Sequence, residues 1–328
     1  MIRDDFFVES DAGFSLAVRE IRSPSLDGKW PALVLLHGAR VPGIASFDLP
    51  VANGSLAADL ARAGCRVFIV DARGYGGSTR TGQDGDSAGK PLVRSDEVVR
   101  DIDAVVTAVK ARSGISEVAL LGWATGGHWV GMYASRHPRA VSHIVIYNSL
   151  YGARAGHKIL GSGGPLSDPN DPTRFDIGKF GAFGFNTAQS LTPSWDGSIP
   201  VEDKATWRDP AVLAAYQSAA LASDPTSSQR NPPAFRAPMG AMADSFDLAS
   251  GRKLWDADTV TARVLLIRSG NDFWSRPEDL MDLQHEMIRA DSVRAVTIPD
   301  ATHYVHLDRP ERGRNVLLQE VTTLLSQD

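Results

Sequence analysis

The chain has 328 residues, of which 43% are hydrophobic and 22% charged, a composition that supports a large buried core and excludes a disordered chain. With 34 basic and 39 acidic side chains and a formal charge of −5, it offers no basic field to gather phosphates, which excludes nucleic acid as a partner. The one cysteine, Cys65, has no internal disulfide partner, Asp4 and Asp5 interrupt residues 1–7 where a secretory leader needs an apolar run, and no stretch approaches the roughly 20 apolar residues of a membrane span. A cytoplasmic protein without a membrane partner is expected.

In chain order, residues 6–10 and 14–21 alternate with period two around Asp11-Ala12-Gly13, the pattern of an antiparallel hairpin. From residue 31 the pattern changes to short, continuously apolar runs at 31–36, 67–70, 118–121, 144–147, 264–267 and 293–298, as strands buried on both faces require. Between the second and third of these, Val98, Ile102, Val105, Val106 and Val109 follow a helical spacing, with Ser95 as the expected N-cap and Gly114 as the stop. Strand and helix in alternation predict a doubly wound, mostly parallel sheet. The alternation breaks between Tyr151 and Asp256, where Gly, Pro, Asp and aromatic residues dominate and one helix is predicted over 211–221. The expected organisation is a core built from 1–150 and 257–328, with 151–256 inserted as a cap.

Strand 118–121 runs directly into Gly122-Trp123-Ala124-Thr125-Gly126-Gly127 and then a helix-like segment. Two glycines bracketing position 124 have the spacing of a nucleophile elbow, a strained strand-to-helix turn that lifts one side chain above the sheet. Here the chain resembles the α/β-hydrolase superfamily, in its esterase- and lactonase-like forms with a cap. The resemblance extends in chain order to His37-Gly38-Ala39, similar to the family's H-G-x turn, and to the 71–78 segment Asp-Ala-Arg-Gly-Tyr-Gly-Gly-Ser, similar to its D-x-R-G-x-G-x-S turn, which is read as structural. It departs at one place: the family's G-x-S-x-G has serine where this chain has Ala124.

The resemblance implies a catalytic triad at Ala124 (the nucleophile position), Asp272 and His303, with the amides of Ala39 and Thr125 as the oxyanion hole. Asp272 and His303 follow the strands at 264–267 and 293–298, where an open α/β sheet places its site. His306 is the rival base, closer to a helix expected to start at Pro310. Taken singly, each feature has a bland reading: an aspartate after a strand is often a turn residue, and a lone histidine is more often structural. Their joint order favours the hydrolase. A cluster of His303, His306 and Asp308 as a metal site lacks the His-Glu-x-x-His helix, and Gly74, Gly76 and Gly77 lack the Lys-Ser or Lys-Thr of a phosphate loop; no metal and no cofactor are implied. Among the aromatics, Trp123, Trp195 and Trp207 are expected to touch a small, largely apolar substrate, while most of the others form a core for the cap.

An alanine methyl cannot attack a carbonyl. Two explanations stand for Ala124. Either the chain is the serine-to-alanine form of a Ser-His-Asp hydrolase of esters, lactones or related carbonyl compounds, or the alanine is native. In the second case His303 with Asp272 is a general base for direct water attack or lyase chemistry, or the cavity only binds a ligand.

Overall fold

The computed structural model describes residues 1–11, 13–25, 30–82 and 87–326. The described strands are β1 (Ile2–Glu9), β2 (Ser15–Arg22), β3 (Ala32–Leu36), β4 (Arg66–Val70), β5 (Val118–Trp123), β6 (Val141–Tyr147), β7 (Phe183–Thr187), β8 (Ala234–Pro238), β9 (Arg263–Asn271) and β10 (Ser292–Thr302). Eight form one sheet in the order β1-β2-β4-β3-β5-β6-β9-β10, and β7 pairs with β8 as a separate antiparallel ribbon. From β4 to β10 every pairing in the large sheet is parallel, and the hairpin β1–β2 joins the edge antiparallel. Every residue of β3 and β5 is buried, which is why these strands read as unbroken apolar runs instead of alternating. The hairpin is where the alternation places it; Ala12 of its turn lies outside the described residues.

The described helices are α1 (Gly43–Phe47), α2 (Leu56–Ala63), α3 (Ser95–Ser113), α4 (Thr125–Arg136), α5 (Ile177–Phe180), α6 (Thr192–Ser198), α7 (Pro210–Ala222), α8 (Gly240–Ala249), α9 (Pro277–Glu286) and α10 (Arg314–Leu325). None is long and apolar enough to cross a membrane. α3 stops at Gly114, which takes the left-handed conformation with φ of 68°. Its start differs from expectation. Ser95 is the first helical residue, and its hydroxyl is drawn away to Asp244 and to His128 Nε2 at 2.7 Å. The Glu97 carboxylate instead accepts the Arg94 backbone N–H at 2.9 Å, so the cap lies one residue earlier and is one-sided, since the Arg94 guanidinium has no acceptor to return. Pro310 likewise begins a 3-10 turn, Pro310–Arg312, and α10 starts only at Arg314.

β6 pairs directly with β9, so residues 148–262 form an excursion between neighbouring strands. It carries α5, β7, α6, α7, β8 and α8. The expected helix at 211–221 is α7, where the Asp209 carboxylate accepts the Ala211 N–H at 2.9 Å and Pro210 opens the first turn. The ribbon β7–β8 was not anticipated, because Gly184 and Pro238 make its five-residue strands read as loop. α8 folds back against the start of α3: Arg94 pairs with Asp244 and Asp247, and a Cβ on Gly240 would stand 2.1 Å from the Val93 carbonyl oxygen.

Gly270 sets how closely β9 approaches β10. A Cβ there would lie 1.8 Å from the Pro299 carbonyl oxygen, which is backbone and cannot step aside. Gly270→Ala is therefore expected to lower unfolding free energy by at least about 2 kcal/mol, read as a reduced midpoint in urea denaturation; an unchanged midpoint would show that the two strands separate freely.

Candidate active site

The turn between β5 and α4 is shaped by what its glycines exclude. A Cβ on Gly122 would stand 2.1 Å from the Gly126 carbonyl oxygen, and one on Gly126 would stand 2.3 Å from that of Leu36 at the end of β3. Only hydrogen fits at either place. At the apex Ala124 has φ 51° and ψ −115°, a conformation costing a residue with a Cβ about 1–3 kcal/mol. Two backbone bonds hold it there: the Ala124 N–H donates to Tyr147 O and the Gly127 N–H to Ala124 O, both at 3.0 Å. The Thr125 N–H that follows is the first of α4 and has no intrahelical acceptor.

The His37-Gly38-Ala39 turn lies over this apex, since a Cβ on Gly38 would be 3.5 Å from the Ala124 methyl. His37 Nε2 accepts the Ala72 N–H at 3.2 Å, so Nδ1 carries the proton and donates to Gly38 O at 2.7 Å. Burial lowers this imidazole to about 4 and keeps it neutral. Tyr75 donates its hydroxyl to Ala39 O at 2.8 Å, fixing the peptide beyond it. Among the described residues neither the Ala39 nor the Thr125 amide reaches a protein acceptor. Beneath the same loops, burial pushes Asp71 up to about 6 while its carboxyl accepts the amides of Ile44 at 3.0 Å and Gly77 at 3.1 Å. It ties the loops together, as its structural reading anticipated.

His303 and Asp272 leave the ends of β10 and β9. Ile298 pairs with Ser269 and Thr302 with Asn271, so β10 bulges by two extra residues and turns its last side chain toward β9. His303 Nδ1 lies 2.6 Å from Asp272 Oδ1. The same carboxylate accepts the amides of Trp274 at 2.9 Å and Ser275 at 2.8 Å, and the Ser275 hydroxyl. Burial would raise the Asp272 carboxyl, but the facing His303 and these donors outweigh it and hold it below the usual carboxylate range. The backbone behind His303 is also held. Its carbonyl accepts Trp123 Nε1 at 3.0 Å and Asn148 Nδ2 at 3.1 Å, and Asn148 Oδ1 accepts the Ser269 N–H at 2.7 Å. Sequence reasoning does not reach Asn148, which carries no charge; its place directly after β6 is the available signal.

The rival base is placed differently. His306 is fully buried against Phe47, Trp123 and Tyr147, neither ring nitrogen has a hydrogen-bond partner among the described residues, and burial drives its imidazole far below the usual value. Asp308 takes the Trp195 Nε1–H at 2.9 Å and the Thr302 N–H at 3.0 Å, and burial pushes it up to about 6. Among the described residues no cluster of histidine and acidic side chains converges on a metal-sized centre.

Ala124 and His303 open into one cavity of about 290 Å³, whose wall also includes Ala39, Trp123, Phe273, Trp274 and Tyr304. The excursion between β6 and β9 closes it with Ser190, Pro193, Ser194, Tyr216 and Met242. Trp195 and Trp207, expected to touch substrate, are not in this wall. Trp195 stacks on Tyr304 with ring centroids 4.8 Å apart and points its N–H at Asp308, while Trp207 donates to Asp300 O at 3.1 Å beneath Arg312. Each indole satisfies its buried N–H on a residue outside the cavity wall. Arg40 and Phe273 are wall residues that sequence reasoning missed, although Arg40 directly follows the His-Gly-Ala turn and Phe273 directly follows Asp272.

Two measurements check this geometry. Ala124→Gly removes the Cβ from a disfavoured conformation and is expected to raise unfolding free energy by about 1 kcal/mol, visible as a higher thermal midpoint. Asp308 has a folded value near 6 against an ordinary 3.8, so between these values the native state keeps a proton that the unfolded chain has released. Its contribution is complete below the lower value and is lost as pH rises through the higher one. Asp308→Asn is expected to flatten the fall in unfolding free energy over that window by on the order of 1 kcal/mol per pH unit, measured by urea titrations at stepped pH; an unaltered slope would mean the group titrates normally.

The model of the alpha/beta hydrolase family matches residues 33–313, whereas no curated protein matches the chain. Similar solved structures include the enol-lactonase from Burkholderia xenovorans LB400, with a TM-score of 0.58 and 16% identity over 98% of this chain and 100% of that one. They also include E-2-(acetamidomethylene)succinate hydrolase, with a TM-score of 0.61 and 17% identity over 99% and 100% of the two chains. A thermophilic esterase from Thermogutta terrifontis gives a TM-score of 0.59 and 15% identity over 98% and 99%. At such identities the likeness is one of fold; with the family match over most of its length, the chain belongs to the alpha/beta hydrolase family.

Proposed function

We propose that this is the scaffold of a Ser-His-Asp hydrolase acting on an ester, lactone or related carbonyl bond of a small substrate, with the nucleophile position occupied by Ala124. The observation that carries the reading is the 2.6 Å contact of His303 Nδ1 with Asp272, set in the cavity onto which the Ala124 apex opens. Residues 151–256 serve as the cap, because the excursion supplies Ser190, Pro193, Ser194, Tyr216 and Met242 to the cavity wall. The buried thiol of Cys65, pushed up to about 12 by its surroundings, is unreactive and fits a cytoplasmic setting.

With serine at the apex, the hydroxyl oxygen attacks the substrate carbonyl as His303 Nε2 takes its proton. Asp272 stabilises the imidazolium, and the Ala39 and Thr125 amides receive the oxyanion. His303 then returns the proton to the leaving group, and water repeats the sequence on the acyl-enzyme. With alanine the same cavity binds and orients a substrate without acylation, because the methyl has no lone pair to offer.

Ala124→Ser is expected to raise hydrolysis of 4-nitrophenyl butyrate by at least about a thousand-fold over the chain as it stands, and His303→Ala in the serine background is expected to remove that gain. If serine adds nothing, the serine-hydrolase reading fails. His303 with Asp272 is then the base for direct water attack or for a substrate proton, or the cavity is a binding site alone.

A further inference from the structure

Arg40 follows Ala39 directly, so its stem is rooted about 3.8 Å, one Cα step, from the residue read as an oxyanion donor. It lines the cavity. Its Nη1 donates to the Ser190 carbonyl at 3.3 Å; among the described residues it pairs with no carboxylate and its other guanidinium N–H groups find no acceptor. This sets it apart from Arg3, Arg19, Arg66, Arg73 and Arg94, each of which meets an aspartate or glutamate within hydrogen-bond reach. Among the described residues the cavity wall contains no acidic side chain, and the Asp272 carboxylate is wholly shielded from solvent beside His303. Burial pushes the Tyr216 phenol on that wall well up, and the Arg40 charge opposes the push, so the cation acts on the cavity interior. A half-buried guanidinium with most of its donors free, beside an acyl-transfer centre, is a receptor without its anion.

We propose that Arg40 binds a carboxylate on the substrate, so that the site takes an anionic ester or lactone whose carboxylate lies a short chain away from the scissile carbonyl. The proposal rests on the hydrolase reading of the cavity and corrects the expectation of a largely apolar substrate. A carboxylate fits better than a phosphate. Among the described residues Arg40 is the one lysine or arginine in the cavity wall, and a single guanidinium balances a monoanion through two parallel hydrogen bonds but leaves a dianion half neutralised. The rest of the wall, with Trp123, Phe273, Trp274 and Met242, suits an apolar spacer between the two ends.

The test compares 4-nitrophenyl hydrogen adipate with its neutral methyl ester as substrates of the Ala124→Ser protein, alone and with Arg40→Met or Arg40→Lys. The readout is the ratio of kcat/KM for the anionic ester to that for the neutral one. Arg40→Met is expected to lower this ratio by at least about tenfold, and Arg40→Lys, which keeps the charge but not the fork, to keep part of it. A ratio unmoved by Arg40→Met, as a solvated arginine merely covering apolar surface would give, overturns the proposal. Adipate binding to the chain as it stands, by titration calorimetry, separates the two readings. If Ala124→Ser hydrolyses neither ester yet adipate binding weakens at least about tenfold in Arg40→Met, the anion site stands and the hydrolase reading falls. If Ala124→Ser hydrolyses both esters equally and adipate binding ignores Arg40, the hydrolase reading stands and the carboxylate falls.

Discussion

The site depends on a close approach of backbones that tolerates no side chain. Gly122, Gly126 and Leu36 bring the ends of β3 and β5 and the first turn of α4 within van der Waals contact, and that contact sets both the apex and the first free amide of the helix. Ala124 is held in a costly conformation because its neighbours leave no other path for the chain. The cost is met by the packing of fully buried strands on either side. A small local strain is thus stored where the chemistry of the fold takes place, at the expense of a core large enough to absorb it.

Electrostatics around this turn follow one rule: buried polar groups are held by backbone donors and acceptors in preference to free charges. His37 is neutral and bridges two backbone groups, Asp71 is cradled by amides, and Asp272 collects two amides and a hydroxyl besides His303. Backbone partners cannot swing away, so they position a titratable group more firmly than a flexible side chain would. The facing His303, together with these donors, holds Asp272 below the ordinary carboxylate range, whereas burial drives Asp71 and Asp308 upward in spite of their donors.

Much of this was legible in the residues. The unbroken apolar runs 31–36 and 118–121 announced buried parallel strands, and the glycine spacing around Ala124 marked the elbow, because both patterns follow from local sterics. Asp272 and His303 were legible as a pair only through their position after successive strands, since their contact spans 31 residues. Which aromatic residues of the excursion face the cavity is not legible in the sequence. Trp195 and Trp207 differ from cavity-facing aromatics only in where their N–H groups find acceptors, at Asp308 and at the Asp300 carbonyl, and such long-range partners leave no periodic trace in sequence. The ribbon β7–β8 was hidden for a related reason: its short strands are stabilised by pairing with each other across some fifty residues of chain.

The anchoring of His303 has a consequence of its own. Its carbonyl is gripped by Trp123 and Asn148 and its ring by Asp272, and none of these contacts passes through the side chain at position 124. The His303–Asp272 pair is therefore assembled independently of whatever atom occupies the apex. Position 124 behaves as a socket: an exchange there changes the side chain presented to the cavity without disturbing the contacts that hold His303. A fold wired in this way can exchange the residue at its apex while keeping the surrounding architecture intact.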